Sequence, residues 1–531
     1  MCQALTPGHP SAIMRNHLER DGEPLKHLLC VFVAVLLMSV LVMTAAAEEA
    51  EARNVFGNSI LKDHTGFRDV DKVIDGNGMV LMAFGDGGSM TLQHSEGIGS
   101  LYLIFNKEYG PFSVTDLDTG AVRSFGENYF IHEFADLQEA FGHAPAKVKL
   151  DFLNGPGQLN EFYVFTPGKV PDFVQKWEKP KDGETDLLLF STHGDDEQLF
   201  FAGLLPYYAK ERGYQVQVVY LTNHRNVTYR RAHEMLNGLW AVGVTTYPVF
   251  GDFYDQMSGS REEALRFFGA QGVTEVELLG FVVENLRRFR PMVAVGHDLM
   301  GEYGHGQHMV YADLLAKAIE ITADPTQYPE SAEAYGTWDV PKTYLHLYPE
   351  KEIFLDWDQP LESFGGMTAF EVTQKRGYPC HKSQYWDFAW YLVFKSTAAE
   401  ITQYSPCEYG LYRSTVGPDV LKNDMFENVK THVQKKAEEE AARLAAEEEA
   451  ERREQERMAA EAEAKRQEEE RQKREAEKRA AEEELLRLHQ EAAQQEQLRR
   501  RQLLIWSGTG ILALLLLLGV FVAILDRKNK I

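Results

Sequence analysis

One stretch constrains the chain more than any other: Leu187-Leu188-Leu189-Phe190-Ser191-Thr192-His193-Gly194-Asp195-Asp196-Glu197. A continuous apolar run ends at Thr192, and a His and three carboxylates follow at once. Leu199, Phe200, Ala202, Leu204 and Tyr207 then take helical spacing. A strand buried on both faces therefore passes into a helix within a few residues, and the polar cluster sits at the turn. In an α/β sheet that turn lies at the carboxyl end of a strand, where such folds bind ligands. A His beside a carboxylate suits a divalent metal, and a second carboxylate that need not bind it can act as a base.

A second stretch repeats the pattern. Met292-Val293-Ala294-Val295-Gly296 reads as another buried strand, and it runs into His297-Asp298 and then Gly301-Glu302-Tyr303-Gly304-His305-Gly306-Gln307-His308. The glycines permit close backbone approach, and His305 and His308 stand three apart at a loop-to-helix junction. Together the two stretches resemble the PIG-L (LmbE-like) family of zinc-dependent de-N-acetylases, whose motifs are His-Pro-Asp-Asp-Glu and a His-x-x-His in a Gly-rich loop. The resemblance covers about residues 185–400. It implies a Zn2+ ion held by His193, Asp196 and His308. It implies Asp195 as general base and His305 as the second acid/base group. One departure is Gly194, where the family usually has Pro; this costs the turn rigidity but removes no ligand.

Around these stretches the elements alternate. Asp186–Thr192, Gln215–Thr222, Thr245–Phe250 and Pro291–Val295 read as strands; Glu197–Arg212, Tyr229–Val242, Val273–Arg288 and His308–Ile321 read as helices. The expected fold is α/β, a Rossmann-like, mostly parallel sheet with helices on both faces. Arg231 and Glu234 are three apart on one helix face. Family members often carry this Arg-x-x-Glu, which implies an Arg facing substrate; the plain alternative is a helix-surface ion pair. Asp252 follows the third strand at the same sheet edge and is a candidate for substrate hydroxyls, as is Asp298 after the fourth. From Pro341 to Tyr412 the chain is aromatic-rich, with Tyr344, Phe354, Trp357, Tyr385, Trp386, Phe388, Trp390 and Tyr391. Cys380-His381-Lys382-Ser383-Gln384 also resembles a family segment and makes His381 a substrate-side candidate.

The flanks suggest the setting. Arg15, Arg20 and Lys26 precede an apolar run from Leu28 to Met43 and then Thr44-Ala45-Ala46-Ala47, a secretory signal peptide over 1–47. Residues 52–172 alternate short apolar runs with Gly, Asn and Asp clusters, as in a β-sandwich. Val73-Ile74-Asp75-Gly76-Asn77 and Glu161-Phe162-Tyr163-Val164-Phe165 resemble galactose-binding-like jelly rolls. A polar linker leads to the α/β domain, over 185–425. Cys380 and Cys407 can form one disulfide if the compartment is oxidising. The formal charge of −25 argues against a nucleic-acid partner.

Residues 430–502 turn abruptly to Glu, Ala, Arg, Lys and Gln. Glu precedes Arg or Lys by four at Glu439–Arg443, Glu448–Arg452, Glu449–Arg453, Glu461–Lys465, Glu470–Arg474, Glu475–Arg479 and Glu483–Arg487. Large apolar residues are scarce and keep no heptad, so a lone charged helical stalk is expected rather than a coiled coil. Residues 503–525 are long and apolar enough for a transmembrane helix, and 526–531 would be a cytoplasmic tail. The whole reads as a single-pass, membrane-anchored, extracytoplasmic zinc N-deacetylase, at a bacterial surface or in an organelle lumen. Its substrate would be an N-acetylated glycan or glycoconjugate. Two other readings stand beside it: a cell-surface glycan-binding or adhesion protein with an inactive PIG-L-like domain, and a hydrolase of esters or non-sugar amides.

Overall fold

The structure, a computed structural model, describes residues 50–503 apart from 58–59, 74–79 and 224–229. The expected signal peptide, transmembrane helix and tail lie outside the described residues, as does most of the Val73–Asn77 passage. Among the described residues no helix is long and apolar enough to cross a membrane. The described chain forms two compact units, one ending at His432 and one beginning at Val433.

The first unit opens with eight strands: β1 (Leu61–Arg68), β2 (Met82–Gln93), β3 (Ser100–Phe105), β4 (Phe112–Asp116), β5 (Val122–Phe125), β6 (His132–Asp136), β7 (Lys147–Phe152) and β8 (Gly157–Phe165). They form one hydrogen-bonded path, β5-β4-β7-β2-β8-β3-β6, with β1 paired to β2. β2 runs unbroken through a Gly-rich stretch. Its Met82–Phe84 pair with β8 and its Gly88–Gln93 with β7. Gly85-Asp86-Gly87-Gly88 lies at the changeover, where missing side chains let a strand turn a corner. The alternating inward residues close over one core that includes Met90, Leu103, Val114, Leu150 and Phe162.

The second part is the α/β sheet. Its strands are β9 (Leu187–Ser191), β10 (Val216–Thr222), β11 (Val249–Phe253), β12 (Val293–Gly296), β13 (Lys342–His346), β14 (Glu352–Phe354) and β15 (Glu408–Ser414). They lie in the order β11-β10-β9-β12-β13-β15-β14. The first five run parallel and the last two join antiparallel. Every residue of β9, β10, β12 and β13 is buried, which is why β9 and β12 read as continuous apolar runs. Leu187 and Leu189 face one core with the helix Arg230–Ala241; Leu188 and Phe190 face the other with the helices Glu275–Phe289 and Gly306–Ile321. The two parts meet through Phe130 stacked on Tyr247 at 4.2 Å and His132 Nε2 2.9 Å from His233 Nδ1.

One expected helix is broken. Glu197–Arg212 resolves into a short helix, Asp196–Leu199, and a π-helical turn, Pro206–Glu211. Gly203 between them has φ +88°, and a Cβ there would sit 2.4 Å from Cγ of Trp357. Apolar spacing alone does not register that ring. A helix at Arg261–Ala270, capped by Ser260, was not anticipated. Cys380 and Cys407 are both free thiols.

The second unit is carried by one helix, His432–Leu503, of 72 residues, which starts within the first unit at His432. At 1.5 Å per residue it spans about 108 Å. Glu449–Arg453 and Glu470–Arg474 pair as expected, at 2.6 and 2.7 Å. Elsewhere the partners differ: Arg443 reaches Glu440, Arg452 reaches Glu456 and Arg487 reaches Glu491, because an exposed side chain can turn to either neighbouring turn of the helix.

Candidate active site

β9 and β12 are parallel neighbours, in register from Leu187↔Val293 to Leu189↔Val295. The chain leaves β9 towards β10 and β11, then returns to β12 on the other side of β9. Both motif loops therefore emerge at the same edge, at the point where strand order reverses.

Three donor atoms converge there. His193 Nδ1 lies 3.1 Å from Asp196 Oδ2 and 3.1 Å from His308 Nε2, and His308 Nε2 lies 3.2 Å from Asp196 Oδ2. Their partners fix the protons. His193 Nε2 donates to Gln307 Oε1 at 2.9 Å, leaving a lone pair on Nδ1. The Gln307 amide is itself oriented, donating to the Tyr254 carbonyl and accepting from Gln256 N–H. His308 Nδ1 donates to Glu302 Oε2 at 2.8 Å, leaving a lone pair on Nε2. Two lone pairs and a carboxylate oxygen thus face one another in a buried space, an arrangement that repels unless a cation joins them. A tetrahedral zinc with ligands near 2.1 Å would hold such atoms roughly 3.4 Å apart. The residues fit a divalent metal. A proton meets the same demand: burial lowers the His308 pKa, but Asp196 and Glu302 outweigh it and raise it to about 10. Burial works to raise Asp196, yet His308 and His193 hold it well below the usual carboxylate range.

Glu302 is the buried anchor of the second loop. It accepts from His297 Nδ1 at 2.8 Å, His308 Nδ1 at 2.8 Å and His346 Nδ1 at 2.6 Å. His297 in turn accepts the Thr192 N–H on Nε2 at 3.0 Å, tying the second loop to the end of β9. Such partners orient metal-binding histidines and fix their tautomer.

Asp195 has a different environment. Burial raises its pKa to about 6, with Arg231 opposing and Asp196 adding to the rise. That value suits a base working near neutrality. His305 stands beside both histidines, its ring 4.7 Å from that of His193 and 4.8 Å from that of His308. Burial, then His193 and His308, push its pKa down to about 2, so its imidazole is neutral.

The substrate-side candidates divide. Asp252 is exposed at the expected edge and accepts from Asn223 Nδ2 at 2.8 Å. Arg231 is buried and turned inward, donating to the Gly194 carbonyl and to Ser383 Oγ, 3.4 Å from Glu234 and 3.6 Å from Asp195. Neither a substrate-facing Arg nor a surface ion pair describes it. It clamps the turn. Asp298 accepts the Met300 N–H and shapes its own loop. His381 is fully buried and lies 2.9 Å from Glu197. Gly194 also finds its reason: a Cβ there would lie 2.2 Å from Met235 Cγ. The rigidity that Pro would bring comes from Met235 and the Arg231 clamp.

Sequence reasoning missed Glu302, Gln307, His346 and Asp255, whose Oδ1 lies 3.5 Å from His193 Nε2. It also missed Tyr303, which holds φ +46° with its ring 5.4 Å from His308. The unusual crowding of Gly and His between 297 and 308 was the one signal available for Glu302 and Gln307.

Residues 188–319, which hold both loops, match the family described as PIG-L: GlcNAc-PI de-N-acetylase, and this segment is a PIG-L domain. The chain is similar to a 1D-myo-inositol 2-acetamido-2-deoxy-alpha-D-glucopyranoside deacetylase of Streptomyces avermitilis, 29% identical over 187 residues, 31% of this chain and 61% of that one. The enzyme of the same description from Mycobacterium leprae is 31% identical over 194 residues, again 31% and 61% of the two chains. The chain thus spans about three fifths of the length of these curated relatives. Among solved structures, N,N'-diacetylchitobiose deacetylase from Pyrococcus horikoshii is 13% identical, covering 43% of this chain and 82% of that one, with a TM-score of 0.27.

Proposed function

We propose that the α/β domain is a zinc-dependent hydrolase that removes acetyl from an N-acetylated amino sugar or glycoconjugate. The observation that carries this is the convergence of His193 Nδ1, Asp196 Oδ2 and His308 Nε2 beside an unshared carboxylate, Asp195. The names of the relatives support the acetamido sugar. His193, Asp196 and His308 would hold the metal, which supplies Lewis-acid polarisation of the acetamide carbonyl and a lowered pKa for water. Asp195 takes the proton from the attacking water and returns it to the departing nitrogen. Neutral His305 offers a hydrogen bond to the oxyanion that develops on the carbonyl. Arg231 keeps the Asp195 turn in place, and Glu302 keeps His308 presenting Nε2. Acetate and a free amine leave.

The signal-like segment at 1–47 and the apolar segment at 503–525 support membrane anchoring with the site on the extracytoplasmic side. Protease accessibility in intact cells would test that placement. The activity is tested by acetate release from a panel of N-acetylated sugars, before and after chelation and after zinc is restored. Release that survives complete metal removal would overturn the proposal.

A further inference from the structure

The aromatic stretch between Pro341 and Tyr412 is a feature of the α/β domain that this chemistry leaves unused. Most of its rings are core: Tyr344, Trp357, Tyr378 and Tyr391 are buried. Trp386 and Trp390 are not. They are 75% and 52% exposed, the two tryptophans so placed among the described residues, and Phe394 in the same segment is 70% exposed. Three large apolar side chains exposed within nine residues of one segment make the kind of apolar patch that marks an interaction surface.

The segment that carries them is fixed to the site. Phe388, between the two tryptophans, turns inward, with its ring 5.4 Å from Tyr303 and 6.3 Å from Phe200. Tyr303 lies 5.5 Å from His305. On the other flank, Ser383 is bonded to Glu234 and to Arg231, whose guanidinium also holds the Gly194 carbonyl. The inner face of the segment thus touches the rings and the turn of the candidate active site, while its outer face shows two indoles to solvent.

We propose that Trp386 and Trp390 form a stacking platform for sugars joined to the reacting acetamido sugar, making an oligosaccharide the preferred substrate over a single sugar. This rests on the hydrolase reading given above. One face of a pyranose is lined by C–H bonds and meets the negative face of an aromatic ring favourably. Its hydroxyls still need polar partners, and exposed Lys382 and Asp387 flank the rings. A bilayer is the other occupant that exposed tryptophans suit. Asp387, between the two rings, would lose its hydration there, and a chain of formal charge −25 is repelled by an anionic membrane surface.

The test uses the full chain and its Trp386→Ala/Trp390→Ala double variant, with N-acetylglucosamine and tetra-N-acetylchitotetraose as substrates. The variant should raise KM for the tetrasaccharide roughly ten-fold or more, leave its kcat unchanged, and leave both constants for the monosaccharide unchanged. Both side chains are mostly in solvent, so their removal should not perturb folding. Binding of the tetrasaccharide, measured by calorimetry in an Asp195→Asn background, should weaken by the same factor; this readout needs no turnover. Equal losses on both sugars, or no loss on either, overturn the platform. Sedimentation with phosphatidylcholine vesicles that depends on the two tryptophans, with tetrasaccharide binding unaffected by them, assigns the surface to a bilayer and also overturns it. A parent chain that deacetylates neither sugar, yet binds the tetrasaccharide through these rings, counts against the hydrolase reading and leaves the platform standing.

Discussion

The candidate active site and the long helix are both held by charge, and the two use it in opposite surroundings. In the site, Glu302 meets three imidazoles at 2.6 to 2.8 Å, with every partner buried. On the helix, Glu449–Arg453 and Glu470–Arg474 close to 2.6 and 2.7 Å, with both partners in water. The distances are nearly the same. Solvent decides the difference, because water and salt weaken the exposed pairs while a buried carboxylate has nothing but its partners. The helix offers a cation more than one partner, as at Arg443, which has Glu440 on one side and Glu447 on the other; the site does not.

Removing the anchor should break this contrast most visibly. Glu302→Ala leaves His297, His308 and His346 without their acceptor, and losing one member of a buried charged network costs about 3–5 kcal/mol. Denaturant unfolding should register that loss, and the variant should fail to retain metal. Stability within about 1 kcal/mol of the parent would mean that packing, not this carboxylate, holds the loop.

Asp195→Asn tests the chemistry with the frame intact. The substitution is nearly isosteric and touches no proposed ligand, so metal content and fold should persist. Loss of the base should lower kcat by about two to four orders of magnitude. In the parent, Asp195 must be ionised to act. Its pKa, raised by burial to about 6, puts the acid limb of the pH–rate profile at or below that value, since a bound cation can only favour the carboxylate. Activity should fall as pH drops through this limb, and the limb should vanish in Asp195→Asn. A limb above pH 7 would assign it to another group, and metal loss in the variant would exchange the roles of Asp195 and Asp196.

Gly194 offers a smaller and more local test. A methyl there collides with Met235, so Gly194→Ala should cost about 1–3 kcal/mol by overpacking. Met235→Ala opens space at the same point. If the two residues are coupled as the structure places them, the double variant should be more stable than the sum of the two losses predicts. Simple additivity in thermal or denaturant unfolding would mean the turn is set elsewhere.

What could be read from the sequence follows the same division. The long helix was legible because composition alone builds it: good helix formers, no Gly or Pro, and charges spaced by one turn. The strand-to-loop junctions were legible because β9 and β12 are buried on both faces and so read as unbroken apolar runs. The convergence of His193, Asp196 and His308 was reached through a resemblance, not through spacing. Glu302 was not legible, because a single Glu in a Gly-rich loop reads like any surface residue until His297 after β12, His308 of the following helix and His346 of β13 are brought to it. His381 and Arg231 were misplaced for the converse reason. Both are polar residue types that usually seek water, and burial beside Glu197 and Gly194 is a property of the fold, not of their neighbours in sequence.

The smallest expected effect completes the contrast. Raising salt from low concentration to 1 M shortens the screening length to roughly 3 Å. A peptide of residues 433–503 should lose part of its helicity under that change, read by circular dichroism at 222 nm, because its ion pairs stand in water. It should also sediment as a monomer, since Val433, Leu444, Met458, Leu486 and Leu498 are exposed and keep no heptad. The unit ending at His432 should hardly respond to the same salt, since its strongest charged contacts lie where ions do not reach. A stable dimer of the peptide would replace the lone helix with a coiled coil. Helicity indifferent to salt would show that intrinsic propensity carries the helix, with the exposed pairs contributing nothing measurable.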